Sequence, residues 1–458
     1  MRPMRAFFAS VVAAGAVLGS SSAFAQDNAQ TVQQQIDQLR QEFEQIKQQY
    51  EQRLRALEEK VGTAPAAPAP PVPATSPAPA ATAQVPSGAE GAGGPSGTLP
   101  VYGAAVSGSK VFNPDIAVIG DFLGSIGKNP VFPDPFALGV PPTSANPQPP
   151  QPLQMHESET AFQAVVDPYA RADFFMSFGQ DGVELEEGYL TFTELPGGLL
   201  VKVGKMRAAF GKVNTLHNHV LTWTDRPLVT YDLVGGEDGI SDGGLSVARL
   251  IPNPWLFLEA TGQVFRGDSE TDRSPLFHTT ERSQLSYVGH LRAYQDITEN
   301  TNVDFGYSYA RGHNGLFPTG STSDTGGSLV TQLHGIDATL KWRPLQRSIY
   351  HSFVGRTEWI WSRRDQPNGL QSGWGMYASA DYQFGRRWFV GGRYDRSNRP
   401  NDDLLVDTGG SLVLTYWPSE FSQVRGQYRR TNFADGPPAN ELLFQFQFSI
   451  GAHGAHPF

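Results

Sequence analysis

The chain has 458 residues with 49 Gly, 35 Pro and no Cys, and its formal net charge is −10. The absence of Cys excludes a disulfide framework and thiolate metal sites. The acidic balance, without a basic tract or an aromatic-basic motif, argues against a nucleic-acid partner. Hydrophobic residues make up only 39%, which is low for a helical membrane protein and normal for a β-barrel with a wet interior.

Residues 1–25 have the pattern of a secretory signal peptide. Arg2 and Arg5 precede an apolar stretch over 6–18, and small residues follow up to Ala23-Phe24-Ala25. This is an A-x-A cleavage pattern, so Gln26 is the expected first mature residue. A membrane anchor is the alternative, but the apolar run is short for a spanning helix. The signal predicts export.

Residues 26–61 are predicted to form an α-helical coiled coil. Apolar residues recur at spacings of three and four, namely Val32, Ile36, Leu39, Phe43, Ile46, Tyr50 and Leu57. Such a stripe predicts a seam of about four heptads and favours self-association over a helix lying on another surface. We expect a homo-oligomer, with a trimer favoured because it would match barrel assembly.

Residues 62–97 form an Ala/Pro-rich linker. This composition cannot bury a core and predicts an extended chain, in part polyproline II. The helix and linker are therefore expected to project into the periplasm, where the coiled coil could contact peptidoglycan.

Residues 98–458 have the pattern of an all-β, transmembrane, antiparallel barrel of about 16 strands. Apolar and polar residues alternate, as where Phe444, Phe446 and Phe448 are separated by Gln445 and Gln447. Short, turn-rich connectors alternate with mostly longer ones, at 125–157, 211–239, 267–283, 313–327, 363–371 and 398–405. The predicted strands are 113–124, 158–167, 169–178, 183–194, 198–210, 240–250, 255–266, 284–296, 301–312, 328–343, 349–362, 372–385, 387–397, 406–417, 420–432 and 440–450. An even strand number places both chain ends in the periplasm. The barrel is expected in the lipid of the bacterial outer membrane.

Residues that alternate with the apolar ones should face the lumen, because a charge on the lipid face is costly. This inward set is Arg171, Asp173, Lys202, Glu259, His290, Arg292, Asp304, Asp337, Lys341, Arg356, Glu358, Asp381, Arg393, Asp395, Arg425 and Arg429. Acids and bases on opposing walls would create a transverse field that filters ions; the alternative is that they only hydrate the lumen. Aromatic residues cluster near the predicted strand ends, as interfacial girdles do: Tyr350, Trp359, Trp361, Trp374, Trp388, Tyr416 and Trp417.

The connector 211–239 carries apolar and aromatic residues, unlike a simple solvated loop. We predict that it folds back into the lumen as a constriction. The alternation of the preceding strand breaks after Gly204, which predicts a bulge or an exposed strand end there. The candidate pore and constriction residues are Lys202, Lys205, Arg207, His217, His219, Asp225, Arg226, Asp232, Arg292, Arg356, Glu358, Arg393 and Arg425.

The His217-x-His219 pair is the feature closest to a metal motif, with Asp225 or Asp232 as a third ligand. The spacing alone is weak, so no metal and no cofactor are predicted. The sequence has no nucleophile elbow, phosphate-binding loop or metalloprotease helix motif, and we expect that the protein is not an enzyme.

Several segments resemble a porin-like family. Residues 113–121 (NPDIAVIGD) are similar to its opening strand, and 166–189 are similar too. Residues 203–211 (VGKMRAAFG) are similar to the "vGkfrapFG" strand of phosphate-selective porins. Related chains named zinc-regulated TonB-dependent outer membrane receptor share the His-rich segment followed by 225–228 (DRPL). The resemblance implies an outer-membrane channel with a preference for anions, in which Lys202, Lys205 and Arg207 are candidate basic residues.

Three functions remain open at this point. The favoured one is a porin-like channel for passive diffusion of small hydrophilic solutes or ions, because the predicted lumen is charged and wet. A plugged or gated receptor for metal uptake would need a plug or a TonB-contacting segment, and neither is apparent. A tether between the outer membrane and the cell wall would use the coiled coil as its binding end.

Overall fold

The computed structural model describes residues 115–128, 153–179, 182–269, 276–321 and 328–451. The predicted signal peptide, coiled coil and linker lie outside the described residues. No helix in the described part of the chain is long and apolar enough to cross a membrane.

The described residues form sixteen β-strands. They are β1 (Asp115–Lys128), β2 (Leu153–Asp167), β3 (Ala170–Gly179), β4 (Gly182–Leu195), β5 (Leu199–Arg207), β6 (Ser241–Leu250), β7 (Phe257–Phe265), β8 (Ser286–Thr298), β9 (Thr301–His313), β10 (Val330–Trp342), β11 (Ser352–Gln366), β12 (Gly369–Gly385), β13 (Trp388–Arg399), β14 (Asp402–Ser419), β15 (Ser422–Asn432) and β16 (Ala439–Gly451). Each of the predicted strands overlaps one of these.

The strands close into a single barrel in which every strand pairs antiparallel with its neighbours in sequence. The first and last strands complete the cylinder, with a register that runs from Ala117 opposite Gly451 to Lys128 opposite Asn440. Closure pairs the backbone N–H and C=O groups that the edge strands of an open sheet would leave without partners. The predicted fold class of the barrel is therefore confirmed, including its strand number.

Two of the predicted long connectors are wrong. The connector predicted at 363–371 is reduced to 367–368, and the one at 398–405 to 400–401, because β11, β12 and β14 extend further than expected. Those extensions combine polar runs, such as 363–366 (RRDQ) on β11, with isolated leucines, such as Leu370 on β12, and show no regular alternation. Backbone pairing needs no hydrophobic alternation, so the side-chain pattern did not reveal these strand ends.

Alternation along the strands separates an apolar outer face from a polar inner face. On β16, Leu442, Phe444 and Phe446 are 42–47% exposed, whereas Gln445 and Gln447 are buried. None of the sixteen residues predicted to face inward is exposed. The inner face is therefore where the charged residues of the barrel concentrate.

Aromatic pairs lie on the outer face of the barrel. The rings of Trp359 and Trp374 stack with their centroids 5.7 Å apart, and those of Trp388 and Tyr416 are tilted with their centroids 4.5 Å apart. Trp417 is different, since it is buried with only 6% exposed. The expectation that it belongs to an outer girdle is wrong, because it follows Tyr416 in the alternation and points inward.

Candidate constriction site in the barrel lumen

The connector between β5 and β6, residues 208–240, lies inside the barrel, and we call it the lumen loop. It contains two short 3₁₀ turns, Val213–Thr215 and Asn218–Val220, and a π-helical turn, Thr230–Gly235. Its side chains are largely buried, with Trp223 at 2% and Val229 at 0% exposure. The structure therefore places this connector as the sequence predicts.

An apolar side of the lumen loop packs against the barrel wall. This cluster joins loop residues to wall residues: Phe210, Val213, Leu221, Trp223, Val229, Leu233, Val234 and Ile240 pack with Phe175, Tyr189, Met206, Phe265, Leu333, Ile360 and Tyr377 among others. The indole of Trp223 meets the ring of Tyr377 edge-on at 5.3 Å. Each large apolar side chain buried in this way contributes about 1.5–3 kcal/mol. Hydrophobic packing is thus one force that holds the loop in the lumen.

Glu358 on β11 anchors the start of the lumen loop. Its Oε1 accepts the backbone N–H groups of Lys212 and Val213, at 2.9 and 2.7 Å. Gly211 precedes them with φ of +60°, and a Cβ there would lie 2.6 Å from Glu358 Oε2. A glycine is therefore required where the chain turns over this carboxylate. Glu358 is a fixing point of the loop.

Asp225 anchors the middle of the lumen loop to the wall formed by β13 and β15. Its Oδ2 accepts hydrogen bonds from Arg393 at 2.8 Å and from Arg429 at 2.9 Å, and its Oδ1 accepts one from Gln427 at 2.6 Å. Burial alone would raise the pKa of the Asp225 carboxyl, but the two guanidinium groups outweigh burial and hold that pKa below its usual range. Asp225 is thus a buried carboxylate that joins the loop to β13 and β15.

Two further arginines hold backbone carbonyls rather than facing an open pore. Arg226 donates to the carbonyls of Val213 and Leu216 at 2.9 and 2.6 Å, so it fixes the loop to itself. Arg425 donates to the carbonyl of Trp223 at 3.0 Å. Both were predicted as pore residues, and both lie buried in the loop–wall contact.

Asp232, in the π-helical turn, is also buried. It lies beside Ser397, Arg399 and Asp407 at the β13–β14 end of the wall. Burial and then the Asp407 carboxylate raise the pKa of Asp232 well above its usual range. Asp232 and Asp225 each have their own partners and do not join the histidine pair.

The break in alternation near Gly204 has a different cause from the predicted one. The register between β5 and both its neighbours is continuous at Gly204. The bulge lies on the adjacent strand β4, where Phe175 pairs with Glu187 and Met176 with Leu185. The extra residue, Glu186, is buried beside Glu187, so two consecutive carboxylates face inward.

Arg207, at the end of β5, is bound by these carboxylates. Its Nη2 lies 2.9 Å from Glu186 Oε2, and its backbone N–H donates to Glu187 Oε2 at 3.0 Å. The guanidinium also donates to the carbonyl of Asp238 at 2.9 Å. Arg207 is 6% exposed, so it is a buried partner and does not face an open mouth.

The histidine pair of the lumen loop meets the same carboxylates. His217 Nε2 is 2.7 Å from Glu187 Oε1, and His217 Nδ1 is 2.9 Å from Glu159 Oε2 and 3.0 Å from Glu186 Oε2. His219 Nδ1 is 3.4 Å from Glu159 Oε2. Burial lowers the pKa of His217, but Glu159 and Glu186 outweigh it and raise that pKa well above its usual range.

The remaining candidates line the wall away from these anchors. Lys202 is buried with its Nζ 4.5 Å from the centre of the Tyr189 ring. Lys205 lies near Glu184, at 3.6 Å. Arg292 and Arg356 are only part-buried and pair with aspartates, which places them in the more open part of the lumen.

The sequence did not single out the acidic partners of the loop histidines. Glu159, Glu186 and Glu187 come from two strands that are far from the histidines in sequence. The signal that could have found two of them is the run Glu184-Leu185-Glu186-Glu187, because consecutive acids in a barrel strand break the alternation.

The geometry defines a closed antiparallel barrel whose lumen is crossed by an anchored internal loop. No family model matches the sequence. An uncharacterized protein of Aquifex aeolicus (strain VF5) is 30% identical over 400 residues, which span 79% of this chain and 83% of that protein. The chain belongs to the same family as that protein.

Solved structures give a weaker likeness. OmpT, an outer membrane protein of Vibrio cholerae, has a TM-score of 0.47 and 10% identity over 74% of this chain and 97% of OmpT. The outer membrane channel DcaP of Acinetobacter baumannii has a TM-score of 0.47 and 11% identity, over 74% and 96%. Salmonella typhi OmpF has a TM-score of 0.45 and 9% identity, over 74% and 97%. At these TM-scores and identities, none of the three structures indicates the function of this chain.

Proposed function

We propose that the protein is a porin-type channel of the bacterial outer membrane that lets small hydrophilic solutes or ions diffuse through its lumen. The observation that carries the proposal is the contrast between an apolar outer face and a charged inner face on one closed barrel. A barrel of about sixteen strands is wide enough for an aqueous channel. The lumen loop supplies the constriction.

The outer face supports a lipid environment. Large apolar residues are exposed around the barrel, for example Phe305 at 53%, Tyr394 at 52% and Leu412 at 66%. Soluble proteins rarely expose contiguous apolar patches above a few hundred Å². In a bilayer the same residues would be favourably buried, and the inward charges would avoid the lipid.

The pairing of lumen charges supports a preference for anions. In each of three wall pairs the base is more exposed than its acid: Arg171 at 24% against Asp173 at 4%, Arg292 at 20% against Asp304 at 8%, and Arg356 at 17% against Asp381 at 15%. Lys212 of the lumen loop adds a fourth base at 21% exposure. In these pairs and at Lys212 the base is the group that meets water more, whereas at Lys205–Glu184 it is the acid. This agrees with the resemblance to phosphate-selective porins.

A double substitution tests the selectivity. We expect Arg292→Gln with Arg356→Gln to shift the reversal potential under a KCl gradient toward cations, because two part-buried positive charges leave the lumen while Asp304 and Asp381 remain. The matched control is Arg363→Gln with Arg430→Gln, since both arginines are on the outer surface. An unchanged reversal potential in the first variant would remove these arginines from the conduction path.

We also propose that residues 26–61 join barrels into an oligomer, with a trimer favoured. The heptad pattern of apolar residues supports this. No neighbouring segment of the sequence has an apolar face that could pack against these residues instead. Deleting 27–61 should lower the mass of the detergent-solubilised protein in analytical ultracentrifugation and leave a heat-modifiable barrel. An unchanged mass would place the oligomer contact elsewhere.

A further inference from the structure

A cluster of acids and histidines joins the lumen loop to two wall strands. Glu159 comes from β2, Glu186 and Glu187 come from the bulge of β4, and His217 and His219 come from the loop. All five side chains are at most 7% exposed. The bulge is what brings Glu186 to the inner face, so an irregularity of the strand creates the cluster.

Three of these side chains converge on one point. One ligand-type atom each of Glu159, Glu186 and His217 lies within 4.8 Å of the other two. Glu159 Oε2 and His217 Nδ1 are 2.9 Å apart, and neither atom has a further hydrogen-bond partner. In this buried position the carboxylates around Nδ1 need a positive charge, which is either the proton of a charged imidazole or a bound cation. Their convergence points to a cation that would sit between them.

The second ring nitrogen of His217 supports the same interpretation. Its Nε2 lies 2.7 Å from Glu187 Oε1, which fits an N–H that donates to a carboxylate. That tautomer leaves a lone pair on Nδ1, directed at Glu159 and Glu186. Histidines that bind metals usually donate their other N–H to a carboxylate or carbonyl in this way. Arg207 in turn holds Glu186 Oε2 at 2.9 Å.

The charge of the cluster is not balanced by Arg207 alone. Glu159, Glu186 and Glu187 bring three carboxylates, and Arg207 brings one guanidinium, which pairs with Glu186. A metal on Nδ1 would displace the imidazole proton and leave His217 neutral, and the three carboxylates and Arg207 then carry two excess negative charges in a buried position. A divalent cation would offset that excess.

We propose that Glu159, Glu186 and His217 bind a divalent first-row transition metal ion that fastens the lumen loop to β2 and β4. One imidazole with two carboxylates is a donor set for ions such as Zn²⁺, whereas Ca²⁺ and Mg²⁺ take oxygen ligands. His219 lies beside Glu159 and borders the site. The proposal goes beyond conduction and does not depend on it.

Zinc binding to the folded full-length mature chain tests the proposal. After chelation in detergent, calorimetric titration with Zn²⁺ should show saturable binding that Glu159→Gln and His217→Gln each weaken by at least about 100-fold, because each removes a ligand. Glu259→Gln and His334→Gln are the controls and should leave the affinity unchanged. Equal affinity in the folded site variants would overturn the proposal and place the zinc on other groups, such as His453 and His456. Mg²⁺ binding as tight as that of Zn²⁺ would overturn the choice of metal class.

Crystals of the unmodified chain keep the test independent of whether the variants fold. After soaking with Zn²⁺, data collected at the zinc edge should show an anomalous peak about 2.0–2.2 Å from His217 Nδ1 and from oxygens of Glu159 and Glu186. The absence of a peak among these three residues would overturn the proposal.

Discussion

Asp225 makes two of the ionic contacts between the lumen loop and the barrel wall. Asp225→Asn would leave the guanidiniums of Arg393 and Arg429 buried without their shared carboxylate. Removing one partner of a buried ion pair costs about 3–5 kcal/mol. We expect a loss of this size in the free energy of unfolding, measured with urea for the barrel in detergent or lipid. Asp403→Asn, at the exposed start of β14, is the control and should change little.

The same carboxylate predicts a pH dependence. Its pKa is lower in the folded protein than the unfolded value of about 3.9. A depressed carboxyl pKa stabilises the fold above the unfolded pKa, and this stabilisation is lost as the pH falls through the folded pKa. The stability gap between the unmodified chain and Asp225→Asn should therefore stay constant from pH 7 to about 4 and shrink below it. A gap that closes already between pH 7 and 5 would contradict this assignment.

At the residue scale, the sequence predicts whether a side chain faces the lumen better than it predicts which groups that side chain binds. Arg425 was expected in the pore because arginine is costly in lipid, and Arg226 because it lies in the connector predicted to form the constriction. Each instead binds loop carbonyls. Glu159 was overlooked because its partners lie far away in sequence. Contacts between distant segments depend on how the loop enters the barrel, and no local pattern contains that information.

The lumen loop is the element that decides how open the barrel is. Replacing 213–236 with a short Gly-Ser linker removes Trp223 and the apolar packing, and frees Arg393 and Arg429 to face water. We expect a larger single-channel conductance in planar bilayers. The same linker placed at 279–283 is the control and should leave the conductance unchanged. An unchanged conductance in the first variant would mean that the loop does not limit the flow of ions.

The loop's position was predictable from its composition, since apolar and aromatic residues do not suit a solvated connector. Its anchoring was not, because Glu358 and Asp225 are ordinary strand and loop acids in the sequence. The bulge was placed on the wrong strand for a related reason. The alternation breaks at Lys205 and Arg207 because of the bulge on the neighbouring strand β4. Its extra residue, Glu186, pairs with Arg207 in the buried interior.

At the scale of the whole molecule, the barrel could be predicted almost completely. A period of two and the alternating connectors fix strand number and topology, because each strand pairs with the next in sequence. The errors lie at the strand ends of β11, β12 and β14, where polar and apolar residues do not alternate. There the backbone continues to pair after the side chains stop alternating.

The conductance of the full-length mature protein in a planar bilayer under a KCl gradient tests the proposed channel most directly. We expect stable open steps with a reversal potential of the sign that indicates anion preference, since the part-buried wall bases Arg171, Arg292 and Arg356 each meet water more than their acidic partners. A correctly folded, heat-modifiable barrel that shows no steps would contradict the channel. Open steps with cation preference would contradict the assigned role of the wall bases.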